Sequence, residues 1–127
     1  MKHRILLVDD HELVRKGISC LLIPTWEVCG EAKNGKEAIE SVRHLKPDLV
    51  LLDLSMPVMG GTIAAREIRR VAPKIKIVLL SVHEPDSLEA LAKLVGADAF
   101  LSKGCSTEHL RKTIASLLKP SLRAKPI

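Results

Sequence analysis

Aromatic side chains are almost missing from this 127-residue chain, which has one Trp (Trp26), one Phe (Phe100) and no Tyr. A platform for stacking single-stranded nucleic acid bases is therefore excluded. Cysteine is sparse as well. Cys20, Cys29 and Cys105 form an odd set with no CxxC spacing, which argues against zinc ligation or disulfides and for buried free thiols. His3, His11, His44, His83 and His109 are scattered, and none pairs at the HExxH spacing of a zinc protease. No apolar run approaches a transmembrane length, and Ile5 to Val8, after Lys2, His3 and Arg4, is too short for a signal peptide. A cytoplasmic location with no membrane partner is expected. Internal repeats and low-complexity segments are also absent.

What remains has the composition of a globular domain, with 46% hydrophobic and 28% charged residues. The length suits one domain with a real core. A net charge of +5 invites an anionic partner. The Lys and Arg residues are spread over most of the predicted helices, however, and read as a solvated surface.

Short apolar runs alternate with amphipathic segments, the signature of βα units around a parallel sheet. The first run, Ile5 to Val8, stops at Asp9-Asp10. Val14, Ile18, Leu21 and Leu22 then line one helix face, ended by Pro24. Trp26 to Ala32 predicts a more polar strand at the sheet edge. Asn34, with Glu37 three residues on, predicts a helix start, and Pro47 closes that helix. Further helices are expected from Ile63 to Val71 and around Leu88, Leu91, Ala92 and Val95, the second stopped by Gly96. Ile75 to Leu80 and Ala97 to Leu101 are the fourth and fifth strands. Ser106 caps a last helix with Leu110, Ile114, Leu117 and Leu118 inside. Five βα units make one doubly wound α/β domain.

The chain is organised around Leu49 to Asp53, an unbroken apolar run that ends in a carboxylate and is followed by a Pro/Gly loop. Open α/β sheets place their ligands beyond the carboxyl ends of the strands. Asp9, Asp10, Asp53, Ser81 and Lys103 all stand at or just past such ends, so residues distant in sequence converge on one edge. Crowded carboxylates repel unless a cation intervenes. Oxygen ligands with no His or Cys suit Mg²⁺. Lys103 adds a fixed positive charge and Ser81 a hydrogen-bond donor. Together they suit a phosphoryl group attached to Asp53, since a carboxylate can accept one covalently.

The runs Ile5-Leu6-Leu7-Val8-Asp9-Asp10, Leu51-Leu52-Asp53-Leu54-Ser55-Met56-Pro57, Leu79-Leu80-Ser81 and Phe100-Leu101-Ser102-Lys103 resemble the receiver domains of two-component response regulators. The likeness covers Arg4 to about Leu118. It implies a flavodoxin-like five-stranded parallel sheet of order 2-1-3-4-5, with Asp53 as the phosphoacceptor for phosphohistidine on a sensor histidine kinase or phosphotransfer protein. It also implies that Asp10 and the Ser55 backbone carbonyl bind Mg²⁺ or Mn²⁺ directly, Asp9 mainly through water, and that Lys103 holds phosphoryl oxygens. Ser81 and Phe100 become the halves of a switch: the hydroxyl moves to the phosphoryl group and the ring turns into the space vacated. The surface affected runs from about Ser87 to Leu118, where a homodimer could form on phosphorylation. Gly104 stands where many receivers have Pro, which excludes a cis Lys–Pro peptide.

The runs Asp9 to Gly17 and Val28 to Ala32 further resemble regulators with a C-terminal helix-turn-helix of the LuxR/NarL kind. Residues 1–119 are then the receiver and 120–127 a tail or the start of a linker to an output domain absent here, through which DNA would be bound. The chain is expected to be an excised or stand-alone receiver, and not an enzyme beyond its own phosphorylation and dephosphorylation. Three alternatives are weaker. A phosphohydrolase of the haloacid dehalogenase kind usually has a second acid where this chain has Ser55. A nucleotide-binding loop needs Gly where this chain has Asp9-Asp10-His11-Glu12. A degenerate receiver acting only by protein interaction fits poorly with an intact acid pair, acceptor and lysine.

Overall fold

The three central strands form where apolar runs are buried on both sides. The computed structural model describes residues 2–56, 59–82, 93 and 95–118. It contains β1 (Arg4–Val8), α1 (Glu12–Leu22), β2 (Glu27–Ala32), α2 (Gly35–Leu45), β3 (Leu49–Asp53), α3 (Gly61–Val71), β4 (Lys76–Ser81), β5 (Ala99–Ser102) and a last helix, α4 (Thr107–Leu118). All neighbouring strands pair in parallel, in the order β2-β1-β3-β4-β5. This is the expected doubly wound order, with the more polar β2 at one edge.

Alternation along each strand feeds two cores. Leu6, Val8, Val50, Leu52, Ile77 and Leu79 face α2 and α3, where Ala38, Val42, Ala64, Ala65 and Ile68 close the layer. Ile5, Leu7, Leu49, Leu51, Val78, Leu80 and Leu101 face the opposite way, onto Leu22 of α1 and Leu110, Ile114 and Leu118 of α4. Burying each large aliphatic side chain contributes about 1.5–3 kcal/mol. Every residue of β3 is buried, so the strand that ends in Asp53 sits at the centre of the molecule.

The predicted caps form. Asn34 Oδ1 accepts from the Glu37 N–H at 2.9 Å, while Glu37 Oε1 accepts from the Lys33 N–H at 3.1 Å, one residue before the cap. Ser106 Oγ accepts from the His109 N–H at 3.0 Å. At α1 the cap position is His11, whose side chain makes no capping bond.

Several limits shift. Trp26 precedes β2 and is buried in the second core, beneath the Arg111 guanidinium at 5.2 Å. Strand β4 includes Ser81, and β5 begins at Ala99. The cysteines are free but not buried: Cys20 is exposed, and Cys29 and Cys105 are half-buried. Cys20 lies on the outer side of α1, Cys29 on the edge strand β2 is covered only in part, and Cys105, in the loop after β5, packs against the rim of the second core.

Leu88, Leu91 and Ala92, expected in a helix, lie outside the described residues, as do Pro57 and Pro120 to Ile127. Lys93 and Val95 are helical, and Gly96 follows with φ +79°, the left-handed stop that glycine tolerates. Beyond it, Arg69 of α3 clamps the approach to β5. Its guanidinium donates to the Gly96 carbonyl at 3.0 and 2.8 Å, to the Pro73 and Ile75 carbonyls at 2.8 and 2.7 Å, and to Asp98 Oδ2 at 2.7 Å. Asp98 Oδ2 also accepts from the Ile77 N–H at 2.8 Å, and the Asp98 N–H donates to the Ile77 carbonyl at 2.8 Å. Among the described residues no helix is long and apolar enough to cross a membrane.

Candidate functional site

Strand register brings the chemistry together. Val8 pairs with Leu52, so Asp9, just past β1, and Asp53, the last residue of β3, stand side by side. Ser81 pairs with Ser102 at the end of β4 and β5, and Lys103 follows immediately. Its N–H donates to the Ser81 carbonyl at 2.8 Å, which extends the ladder and turns the side chain inward over the edge.

Lys103 Nζ donates to Asp9 Oδ2 at 2.7 Å and lies 3.2 Å from Asp53 Oδ1. Asp9 and Asp53 are only 2% and 1% exposed, so this ammonium bridges two carboxylates with little water between them. Burial pushes the Asp9 carboxyl up, but the Lys103 hydrogen bond and charge and the bonds from His11 outweigh it and hold the group below the usual carboxylate range. For Lys103, burial favours the neutral amine. The Asp9 hydrogen bond and the Asp53 and Asp9 charges overcome that and raise it above the ordinary lysine value. The Asp9–Lys103 pair is therefore ionic across neutral pH.

Asp53 uses one oxygen for these contacts. Oδ1 meets Lys103 and accepts from the Ser55 N–H at 3.1 Å, whereas Oδ2 is buried with no hydrogen-bond partner among the described residues. Asp10 Oδ1 is likewise buried without a hydrogen bond among the described residues, its one near polar contact being His11 Nδ1 at 3.0 Å. A buried carboxylate oxygen without a donor costs free energy unless something binds it. The donor set, carboxylate oxygens without sulfur, fits a hard divalent cation. Gly61, the first residue of α3, lets that helix close on the site, because a Cβ there would lie 2.4 Å from the Asp53 carbonyl oxygen.

Five of the residues expected at the site meet at this edge: Asp9, Asp10, Asp53, Ser81 and Lys103. Ser81 is buried, 5% exposed, and Ser55 stands exposed at the rim. Phe100 is more distant. It pairs with Leu79, two residues before Ser81, so ring and hydroxyl share a sheet face. At 37% exposure the ring sits outward and is not a core aromatic. Much of the surface expected to respond, Ser87 to Leu118, is described only at Lys93 and from Val95 onward.

His11 was not legible as a site residue. Its Nδ1 lies 3.0 Å from Asp10 Oδ1 and 3.4 Å from Asp9 Oδ1, and its N–H donates to Asp9 Oδ1 at 2.9 Å. Asp9, Asp10 and His11 form a group with ligand atoms close enough to share an ion. The signal was simple adjacency to the acid pair, which a search for HExxH spacing passes over.

Comparison with known proteins agrees with this geometry. The family described as the response regulator receiver domain matches residues 5–115. The response regulator UvrY of Escherichia coli (strain K12) is 43% identical over 115 residues, covering 89% of this chain and 53% of that protein. The response regulator GacA of Pseudomonas viridiflava is 40% identical over 113 residues, covering 87% and 53%. The chain thus spans about half the length of the curated relatives it matches. Among solved structures, a two-component response regulator of the LuxR family from Aurantimonas sp. SI85-9A1 superposes with a TM-score of 0.87 at 32% identity, covering 93% of this chain and 86% of that one.

Proposed function

The chain belongs to the response regulator receiver domain family, and from that premise we propose that Asp53 is the phosphoacceptor of a two-component signalling switch. The observation that carries this reading is the division of labour on Asp53: Oδ1 is held by Lys103 and the Ser55 N–H, and buried Oδ2 has no hydrogen-bond partner among the described residues. That oxygen forms a bond to phosphorus as the N–P bond of a phosphohistidine breaks. The electron pair stays on the departing imidazole nitrogen, which takes up a proton from water. The donor is a sensor histidine kinase or phosphotransfer protein.

Lys103 fixes the acceptor and then pairs with phosphoryl oxygens, the electrostatic help that phosphoryl transfer needs most. Asp9, Asp10, Asp53 and the Ser55 backbone carbonyl would hold a Mg²⁺ or Mn²⁺ ion, which would supply further neutralisation of phosphoryl charge. The only chemistry we assign is self-phosphorylation, and autodephosphorylation by water. Ser81 and Phe100 are the switch: a bond from the Ser81 hydroxyl to the phosphoryl group favours the packing with the ring turned inward. Their shared sheet face supports this pairing.

We assign residues 1–119 to the receiver and 120–127 to a tail or linker. The output is control of transcription in the cytoplasm through a helix-turn-helix domain outside residues 1–127, with DNA as that domain's partner and phosphorylation promoting a homodimer. The test is intact-mass spectrometry after incubation with acetyl phosphate, with and without Mg²⁺, beside Asp53→Asn. A single phosphoryl adduct that needs the metal and is lost in the variant is expected. An adduct that persists in Asp53→Asn would overturn the assignment.

A further inference from the structure

We propose that His11 is a ligand of the site's cation, so that the acid pair binds an imidazole-preferring divalent ion of the Ni²⁺, Fe²⁺ or Zn²⁺ class in competition with Mg²⁺. This rests on assigning Asp9 and Asp10 to metal binding and adds a nitrogen donor to it. Ligands about 2.1 Å from one metal are separated by about 3.0 Å when cis in an octahedron, and by about 3.4 Å in a tetrahedron. His11 Nδ1 stands 3.0 Å from Asp10 Oδ1 and 3.4 Å from Asp9 Oδ1. Both distances fall in the range that separates two ligands of one metal, and the ligand atoms of Asp9, Asp10 and His11 all lie within 4.8 Å of one another.

Two further features point to a cation. Among the described residues, Asp53 Oδ2 is buried without a hydrogen-bond partner, and buried Asp10 Oδ1 has only the His11 Nδ1 contact. Asp53, 1% exposed, is tied to Asp9 through the same Lys103 ammonium. Carboxylates and backbone carbonyls suit Mg²⁺, whereas an imidazole favours transition ions. The His11 side chain is 69% exposed, so its other nitrogen can reach water while Nδ1 faces the acids. The site's metal would then follow availability as well as concentration.

The experiment is calorimetric titration of the full chain with NiCl₂ and, separately, MgCl₂, in the wild type, His11→Ala and Asp10→Asn. Loss of an outer-shell partner alone weakens metal sites by about tenfold or more, so His11→Ala should weaken Ni²⁺ by at least that factor. Mg²⁺ affinity in His11→Ala should change less than about twofold, since Mg²⁺ prefers oxygen. Asp10→Asn should weaken both ions. With Zn²⁺, long-range ¹H–¹⁵N spectra should mark Nδ1 of His11 as the ligating nitrogen. Equal weakening of both ions in His11→Ala, no change in either, or Ni²⁺ binding that survives Asp10→Asn would overturn the proposal. Failure of acetyl phosphate to modify Asp53, with the Ni²⁺ pattern as expected, would remove the phosphoacceptor reading and leave this one standing.

Discussion

Lys103→Met deletes a charge while keeping an unbranched stem of similar reach, and the structure sets the size of its effect. The ammonium lies 2.7 Å from Asp9 and 3.2 Å from Asp53, both nearly sealed from water. Removing one partner of a buried ion pair costs about 3–5 kcal/mol. Asp9 has an escape, which is to take up a proton. From an ordinary carboxyl value near 4, protonation at pH 7 costs about 4 kcal/mol, a ceiling on the loss. The expected loss is therefore about 3–4 kcal/mol. With a urea dependence of about 1–3 kcal/mol per molar, the unfolding midpoint should fall by about 1–3 M, followed by the fluorescence of buried Trp26.

The pH dependence has a definite sign. Asp9 is held below the usual range in the folded state, so its contribution is complete above the unfolded carboxyl value and is lost as pH falls through the lower folded value. Lys103 is raised, so its contribution is complete below the ordinary lysine value and fades only as pH rises through the raised one. The gap between wild type and variant should be full at pH 7 and close below about pH 4. An unchanged midpoint at pH 7, or a gap that persists undiminished at pH 3, would refute the reasoning.

Gly61→Ala should destabilise the fold by about 1–3 kcal/mol, since the new Cβ meets backbone that cannot swing aside, at 2.4 Å from the Asp53 carbonyl and 2.7 Å from Leu54 Cα. Acetyl phosphate should then modify Asp53 more slowly; a variant with wild-type melting and labelling rate would contradict this. Iodoacetamide at mildly alkaline pH should label exposed Cys20 first, because burial pushes the Cys29 and Cys105 thiols up. Equal rates by peptide mapping would contradict that order.

The strands were legible because burial on both faces forces continuous apolar runs, and Leu49 to Leu52 has no other reading in a parallel sheet. Asn34 and Ser106 were legible because capping is a local bond between near neighbours. Convergence of Asp9, Asp53 and Lys103 followed from topology alone. What could not be read was whatever depends on the distance between elements. The requirement for glycine at Gly61 comes from the Asp53 backbone, and the partners of Arg69 lie up to Asp98. Exposure of Phe100 depends on what covers an edge strand, which alternation does not encode.

Asp98 and Arg69 bear on how the lysine is aimed. Strand β5 has four residues and, as an edge, a single neighbour to align it. A slip of one residue would carry Lys103 about 3.3 Å along the strand, as far as its present 3.2 Å separation from Asp53. It would also turn the side chain to the other face. Asp98 prevents this from the opposite end, with its main chain and carboxylate both engaged on Ile77 while Arg69 grips Gly96. The charge over the acids is thus sighted like a gun barrel, from a rear mount one strand length away, and damage to that mount would spoil the aim without touching any residue at the target.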